Sequence, residues 1–466
     1  MSLPRSLTKS LRKGYAATRI GHTLVVHADA QVSTGVRVLA ESLPPDPTAD
    51  VVVADIPLRS PTQVWRRFAS AVPRSPRPMR IVPGQEPFEA SGELWPWLAN
   101  EVGRVVIAPC GKVHYGRGWL FVHADARSGW VAFPPGGQPM WDGKRFPRPV
   151  WDTMELAQGR LVGPRCVAEP VPAGAWVRPD VDERLLAASR AMLTGMVPCL
   201  PQSPTIMLGA AGLPGIQLTD VVGYWSTLPR PIATAARFVR CGAVDQVGDE
   251  FFGRTLAEAL GTEITCYTGI PAGSPVALDV ITLRPDGSPG WRPFVQVVTH
   301  RPDGSAPLVR KWRAPLMGAV QTGPGVYSLG PGTVVEVIQA GLWIRPENFA
   351  ADPAGVRTVP LNPERCLLVY QESDDGPAHL LRAVAEQLAE RLDVATRSAA
   401  RLVSSAELAD GRPGHPLAEE PVQTDVMARP SVPPEAAEAS GPDAGDGTEL
   451  PWLSRMIDTI ALPRVE

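Results

Sequence analysis

The stretch Met79-Arg-Ile-Val-Pro-Gly84 decides our prediction of the fold, because a similar stretch, Arg237-Phe-Val-Arg-Cys-Gly242, begins the same series of segments again. Each stretch is followed by a helical segment, a strand-like run, an aromatic run that starts with Gly-Trp, and a closing motif with Trp, Arg and Pro. The matched segments are 98–103 with 256–261, 104–111 with 263–269, 129–133 with 290–294, and 174–180 with 341–347. Ordered self-similarity of this kind indicates a duplicated structural unit.

Within the first copy, strands and helices alternate between Val51-Val-Val-Ala54 and Val105-Val-Ile-Ala108, with short connections. This order is typical of a parallel sheet covered by helices. The apolar runs 119–122 and 130–133 then predict an antiparallel hairpin, and 276–283 with 294–298 predict its counterpart. The sequence therefore predicts an α/β fold of tandem duplicated three-layer parallel-sheet units, each with a β-hairpin appendage.

A shortened third copy is expected to start at Cys366-Leu-Leu-Val-Tyr370. After about residue 405 the composition shifts to Pro, Glu, Ala and Gly, which predicts a disordered acidic tail. We expect a basic N-terminal segment (1–48), two repeat units (49–202 and 203–362), a partial third unit (363–405), the tail (406–449) and a short amphipathic helix (450–466).

The charge of the chain argues against a nucleic-acid-binding role. The net charge is −3, while residues 1–19 carry +5 and residues 405–449, with ten acids and two arginines, carry −8, so the remainder is neutral (−3 − 5 + 8 = 0). A nucleic-acid binder would present a basic face. No apolar run is long enough to span a bilayer, and the basic N-terminus lacks the apolar core of a signal peptide. We expect a cytoplasmic protein, with secretion without a cleaved signal left open.

The six cysteines form no CxxC pair, which favours reduced, mostly buried thiols. Cys110 and Cys241 are candidate nucleophiles, although the alignment of the two copies places Pro83 opposite Cys241. Cys110, His114 and His123 lie close in sequence, but structural zinc requires four ligands, so no metal site is expected.

Two further features could mark a ligand site. The segment Gly209-Ala-Ala-Gly-Leu-Pro-Gly215 follows a predicted strand, but it lacks the GxGxxG spacing of a dinucleotide cradle, so no cofactor is expected. The matched residues of the two copies either pack the hairpins on their units or line a shared ligand groove; they are Trp130 with Trp291, and Arg178 with Arg345.

The run Arg104-Val-Val-Ile-Ala-Pro-Cys-Gly111, with Gly129-Trp-Val-Ala-Phe-Pro-Pro-Gly-Gly137 after it, resembles modules of large actinobacterial proteins of the polymorphic-toxin and type VII secretion kind. Those modules look related to caspase-like and C80-like peptidase folds, in which a His and a Cys end adjacent strands. This chain departs from that pattern, because it lacks paired His and Cys at its strand ends.

Two functions follow from these features. The first is a non-catalytic, repeat-built scaffold or interaction protein, accessory to a secreted-effector system. Its partner would be another protein, bound through the C-terminal helix or the matched Trp and Arg surface, with no nucleic acid and no membrane span. The second is a divergent cysteine hydrolase that uses a single unit.

Overall fold

The computed structural model describes residues 14–28, 31–85, 93–116, 118–123, 128–245, 252–349, 351–372, 378–410 and 415–416. The protein has an α/β fold with three large mixed sheets that follow one another along the chain. Among these residues, no helix is both long enough and apolar enough to cross a membrane.

The first part of the chain forms a seven-stranded sheet and a small three-stranded one. The strands are β1 (Ala16–Ile20), β2 (Thr23–His27), β3 (Asp50–Asp55), β4 (Met79–Pro83), β5 (Val106–Cys110), β6 (Lys112–Gly116), β7 (Trp119–His123), β8 (Gly129–Phe133), β9 (Met140–Gly143) and β10 (Arg145–Phe146). The large sheet has the order β1-β2-β3-β4-β5-β8-β9 with β2 to β5 parallel, and the small sheet has the order β10-β7-β6. The helices are α1 (Thr34–Ser42), α2 (Thr62–Ala71) and α3 (Leu94–Val102).

The middle of the chain forms an eight-stranded sheet in the order β11-β12-β13-β14-β16-β18-β21-β22, with β13, β14, β16 and β18 parallel. Its strands, with those of two small two-stranded sheets, are β11 (Arg160–Gly163), β12 (Cys166–Val171), β13 (Gly174–Pro179), β14 (Thr205–Leu208), β15 (Ile216–Gln217), β16 (Arg237–Arg240), β17 (Val244–Asp245), β18 (Ile264–Tyr267), β19 (Ile270–Ser274), β20 (Ala277–Ile281), β21 (Val295–His300) and β22 (Leu308–Trp312). The helices are α4 (Met154–Ala157), α5 (Glu183–Met196), α6 (Leu218–Ser226), α7 (Arg230–Ala235) and α8 (Phe252–Leu260).

The last described part forms a seven-stranded sheet in chain order, in which β26, β27 and β28 are parallel. Its strands are β23 (Gln321–Gly323), β24 (Val326–Gly330), β25 (Thr333–Ile338), β26 (Gly341–Pro346), β27 (Cys366–Tyr370), β28 (Ala400–Ser404) and β29 (His415–Pro416). A 3₁₀ turn (Val356–Thr358) and helices α9 (Ala378–Glu390), α10 (Val394–Ala399) and α11 (Ser405–Ala409) complete it.

Each large sheet has a hydrophobic core on both faces, because successive side chains of a strand point to opposite faces and apolar residues occupy both. In β3, Val51 and Val53 belong to the core that contains α1, whereas Val52 and Ala54 belong to the core that contains α2 and α3. In the second sheet, α5 packs on one face and α6, α7 and α8 pack on the other. In these two sheets the helix that connects the first two parallel strands covers one face, and the helices that connect the later parallel strands cover the other.

In all three sheets an antiparallel hairpin precedes the parallel strands. Gly174–Pro179, which we expected to close the first unit, pairs in parallel with Thr205–Leu208, and Gly341–Pro346 pairs in parallel with Cys366–Tyr370. The expected boundaries at 202/203 and 362/363 therefore fall inside sheets, and described residues of the segment 1–48 form β1, β2 and α1 of the first sheet. The pairing of these strands joins residues that are distant in the sequence, so the local sequence pattern does not show where each sheet begins.

The predicted hairpins pair differently from our expectation. Trp119–His123 pairs with Lys112–Gly116 across a short turn, and Gly129–Phe133 returns to the large sheet beside β5. In the second sheet, Ala277–Ile281 likewise pairs with the strand just before it, and β21 pairs with β18. Alternating apolar residues identify a strand but not its partner, and the nearer strand costs less chain entropy to reach.

The predicted tail lies mostly outside the described residues. Its first residues belong to α11, and His415–Pro416 pairs with β28. The predicted helix at 450–466 lies wholly outside the described residues.

Candidate functional site

A cavity of about 360 Å³ lies at the carboxyl end of the parallel strands β14, β16 and β18. The loops that follow these three strands line it, and residues 339, 360, 361 and 363 of the third part of the chain contribute to its wall. Ligands of open α/β sheets usually bind at the carboxyl ends of the strands, in cavities of about 300 Å³ or more. The cavity is therefore our candidate site.

Glycines allow the main chains of the loops that line the cavity to approach one another closely. A Cβ at Gly242 would lie 2.3 Å from the Ala210 nitrogen, and a Cβ at Gly269 would lie 2.3 Å from the Ile281 oxygen. Gly209, which begins the glycine-rich loop, has a φ of +75°, which favours glycine. These contacts hold the loops in place.

The described lining residues include three basic side chains, Arg240, Arg284 and His300, and none that is acidic. Arg240 Nε donates to the Gly242 oxygen (3.0 Å), which orients the guanidinium at the end of β16. His300 packs on Gly253 so closely that a Cβ there would lie 2.2 Å from His300 Nε2. Burial lowers the pKa of His300 to about 4, so its imidazole is neutral at pH 7.

The two candidate nucleophiles lie in different parts of the fold: Cys110 ends β5 of the first sheet, and Cys241 directly follows β16 of the second. Among the described residues, neither Cys110 nor Cys241 hydrogen-bonds to a histidine, and Cys241 Sγ donates to the Val239 oxygen (3.9 Å). Burial raises the pKa of the Cys110 thiol to about 11 and that of Cys241 to about 12. A nucleophilic cysteine requires a lowered pKa. Neither thiol therefore has the environment of a catalytic cysteine.

His114 and His123 face each other across β6 and β7, with ring centroids 5.3 Å apart. Burial, helped by the proximity of His123, lowers the pKa of His114 to about 4. His123 Nε2 lies 4.0 Å from Glu169 Oε1 in the next sheet. Over the part of the chain that the structure describes, no cluster of three or more His, Cys, Asp or Glu side chains could hold a metal ion.

The matched tryptophans are both fully buried. Trp130 packs edge-on against Phe146, with ring centroids 6.0 Å apart, and the Arg80 guanidinium lies 5.3 Å from its ring. Trp291 Nε1 donates to the Asn362 oxygen (2.9 Å). Both indoles belong to the core and are closed to a ligand from solvent.

The matched arginines are also buried, in ion pairs at the same place of two hairpins. Arg178 Nε donates to Glu169 Oε2 (2.7 Å), and Arg345 Nε donates to Glu336 Oε2 (2.9 Å). Burial raises the pKa of Glu169, but hydrogen bonds from Arg190, His123 and Arg178 outweigh it and hold the pKa well below its usual range.

Sequence reasoning missed the acidic partners of these arginines, and it missed Arg240 and His300 of the cavity. A signal for the partners exists in the sequence, because a glutamate stands nine residues before Arg178 and nine residues before Arg345. The glycine-rich segment 209–215, considered above as a ligand site, contributes Ala211, Gly212 and Leu213 to the cavity wall. No sequence pattern marks Arg240 and His300, which are 60 residues apart in the sequence (300 − 240).

Comparison of the chain with protein family models, with curated proteins and with solved structures gives no match.

Proposed function

We propose that the protein is a non-catalytic scaffold, built from three copies of one α/β unit, that binds another protein. A repeated side-chain bond in the leading hairpin of each sheet carries this proposal. Arg178 pairs with Glu169 and Arg345 with Glu336, each pair nine residues apart. The first sheet has a Thr18–His27 hydrogen bond (2.8 Å), also over nine residues. Side chains that recur at matched positions thus hold the hairpins together and are not exposed to a substrate.

Buried polar contacts also join the successive units, which supports a rigid array. Arg145 of the first part donates to the carbonyl oxygens of Val171, Pro172 and Gly174 in the second. At the next junction, Trp291 donates to Asn362 and Thr282 Oγ1 donates to the Pro363 oxygen (3.1 Å). An array whose parts cannot rotate freely can hold a partner in a defined orientation.

The alternative, a divergent cysteine hydrolase, requires an activated thiolate, and burial raises the pKa of both candidate thiols. Modification of the native protein with iodoacetamide at pH 7.5, followed residue by residue by mass spectrometry, tests this point. We expect no cysteine to react faster than free glutathione. One cysteine that reacts ten or more times faster, with the others unmodified, would favour the hydrolase.

We propose that the partner binds the segment 450–466, which lies outside the described residues. Its sequence places Leu453, Met456, Ile457 and Ile460 on one side of a helix. Ile457→Lys puts a charge on that side, and Thr459→Lys puts the same charge elsewhere, as a matched control. Proteins cross-linked to the full chain in its native cells should be lost with Ile457→Lys and retained with Thr459→Lys. Equal recovery with both variants would contradict this binding surface.

The cytoplasmic location and the accessory role in a secreted-effector system are parts of the same proposal. A fluorescent fusion of the full chain would show the location directly.

A further inference from the structure

We propose that the cavity of the second sheet binds a small organic anion, a carboxylate or phosphate group carried on a compact apolar body. This site does not depend on the partner-binding role proposed above. Four loops of the second sheet, together with residues 339, 360, 361 and 363, line a cavity of about 360 Å³, a volume suited to one small metabolite.

Several groups make one side of the cavity suited to an anion. Arg240 and Arg284 both line it, and guanidinium groups bind carboxylates and phosphates in a bidentate manner. The first two residues of α8, Phe252 and Gly253, line it as well. The amides of a first helical turn have no acceptor within the helix, and the helix dipole favours negative charge at this end. The arginines and the helix terminus therefore both favour the binding of a negatively charged group.

The remaining wall is apolar. Leu213 follows β14, Leu283 follows β20, and Leu361 comes from the third part of the chain. Val298 of β21, a strand of the large sheet, lines the cavity as well. His300 adds a neutral imidazole, which can donate or accept one hydrogen bond without changing the charge of the site. The ligand thus needs an anionic end and a short apolar body.

The other two sheets show that the fold does not require an arginine at the end of this strand. The backbone pairing Leu208–Arg240 corresponds to Ala54–Pro83 in the first sheet and to Tyr370–Ser404 in the third. Proline and serine complete the same strand in the same sheet position. The guanidinium of Arg240 is therefore a feature of this cavity and not of the shared architecture.

Isothermal titration calorimetry of the full chain tests the proposal with three probes of similar size: phenyl phosphate, phenylacetate and benzyl alcohol. We expect at least one of the two anions to bind about ten times more tightly than the neutral alcohol, and the preferred anion distinguishes phosphate from carboxylate. Higher salt should weaken the binding of the anion and leave the binding of the alcohol unchanged, because salt screens the attraction between the anion and the arginines.

Three variants locate the binding. Arg240→Gln and Arg284→Gln should each weaken the binding of the anion by about tenfold, which is the usual effect of losing one charge-assisted hydrogen bond. Leu361→Trp should abolish binding by filling the cavity. Arg301→Gln is the matched control, because Arg301 follows His300, pairs with Glu263 (3.1 Å) and does not line the cavity. Circular dichroism before each titration confirms that the variant is folded.

The proposal is overturned if neither anion binds more tightly than benzyl alcohol. It is also overturned if binding is unaffected by Arg240→Gln, Arg284→Gln and Leu361→Trp, since the anion would then bind elsewhere. Release of phenol from phenyl phosphate would contradict the non-catalytic role and leave the anion site supported. The two proposals can therefore fail separately.

Discussion

Replacement of Arg145 is the most informative perturbation of the junction between the first and second sheets. This arginine is 1% exposed, pairs through Nη1 with Asp152, and donates through Nε to the Pro172 oxygen (2.7 Å). Nη2 donates to the oxygens of Val171 (2.6 Å) and Gly174 (2.8 Å). A single side chain therefore satisfies a buried carboxylate and three buried carbonyl groups.

We expect Arg145→Met to lower the free energy of unfolding by about 4 kcal/mol. Methionine keeps most of the volume, but removing one partner of a buried ion pair costs about 3 to 5 kcal/mol, because the other charge remains buried and unpaired. Arg145→Lys keeps the charge and loses the planar fork, so we expect a loss of about 2 kcal/mol.

The matched control is Arg148→Met. Arg148 is three residues away, its side chain is about half exposed, and it lies 3.9 Å from Asp142. An exposed ion pair contributes about 1 kcal/mol or less, so this variant should change stability little.

Urea unfolding followed by circular dichroism measures the loss of stability, and hydrogen exchange shows which part of the protein is destabilised. Because the chain has three sheets and need not unfold in one step, the amides of Cys166–Val171 and Gly174–Pro179 are the critical readout. They should lose protection in Arg145→Met before those of β27 and β28. Our account of the junction is refuted if Arg145→Met costs no more than Arg148→Met, or if protection falls equally in all sheets.

Three further predictions concern the interior. Trp291→Phe should cost about 1 to 3 kcal/mol more than Trp130→Phe in urea unfolding, because the Trp291 indole donates a buried hydrogen bond, whereas no described residue accepts one from Trp130. Gly242→Ala should destabilise the protein by about 2 kcal/mol, because the added Cβ would collide with main-chain atoms. Gly195→Ala should stabilise its helix by about 0.5 kcal/mol, because a Cβ there would have nothing within 4 Å. Thermal unfolding of both variants measures the two effects. Glu169→Gln should cost most at pH 7. The pKa of Glu169 is lower in the folded than in the unfolded protein, so the ionised group stabilises the fold fully above about pH 4.3 and loses this effect as the pH falls through the folded pKa. A difference between wild type and Glu169→Gln that grows on acidification would contradict that assignment.

Local sequence patterns predicted individual elements well. The helical segment expected at 98–103 ends α3 (Leu94–Val102), with Gly103 as its left-handed C-cap at a φ of +66°. The strand-like run expected at 104–111 contains β5 (Val106–Cys110). Such features depend on the side chains and dihedral preferences of a few consecutive residues, so the sequence carries them directly.

The backbone hydrogen bonds show which residues of the first and second sheets occupy equivalent positions. Gly84 donates to the Ala54 oxygen (2.9 Å), just as Cys241 donates to the Leu208 oxygen (2.7 Å). Gly84 and Cys241 therefore occupy equivalent positions in the hydrogen bonding of their strands, whereas the sequence comparison places Pro83 opposite Cys241. A shift of one residue moves every side chain to the other face of a strand.

From the sequence alone, the α/β fold and several of its strands and helices could be predicted. Only the tertiary structure decided that Gly174–Pro179 belongs to the second sheet, and that Arg178 and Arg345 are buried in ion pairs. It also brought Arg240 beside His300 at one cavity. The physical reason is the range of the interactions: residues near in the chain determine a helix or a strand, whereas pairing, burial and cavities arise between residues that only the folded chain brings together.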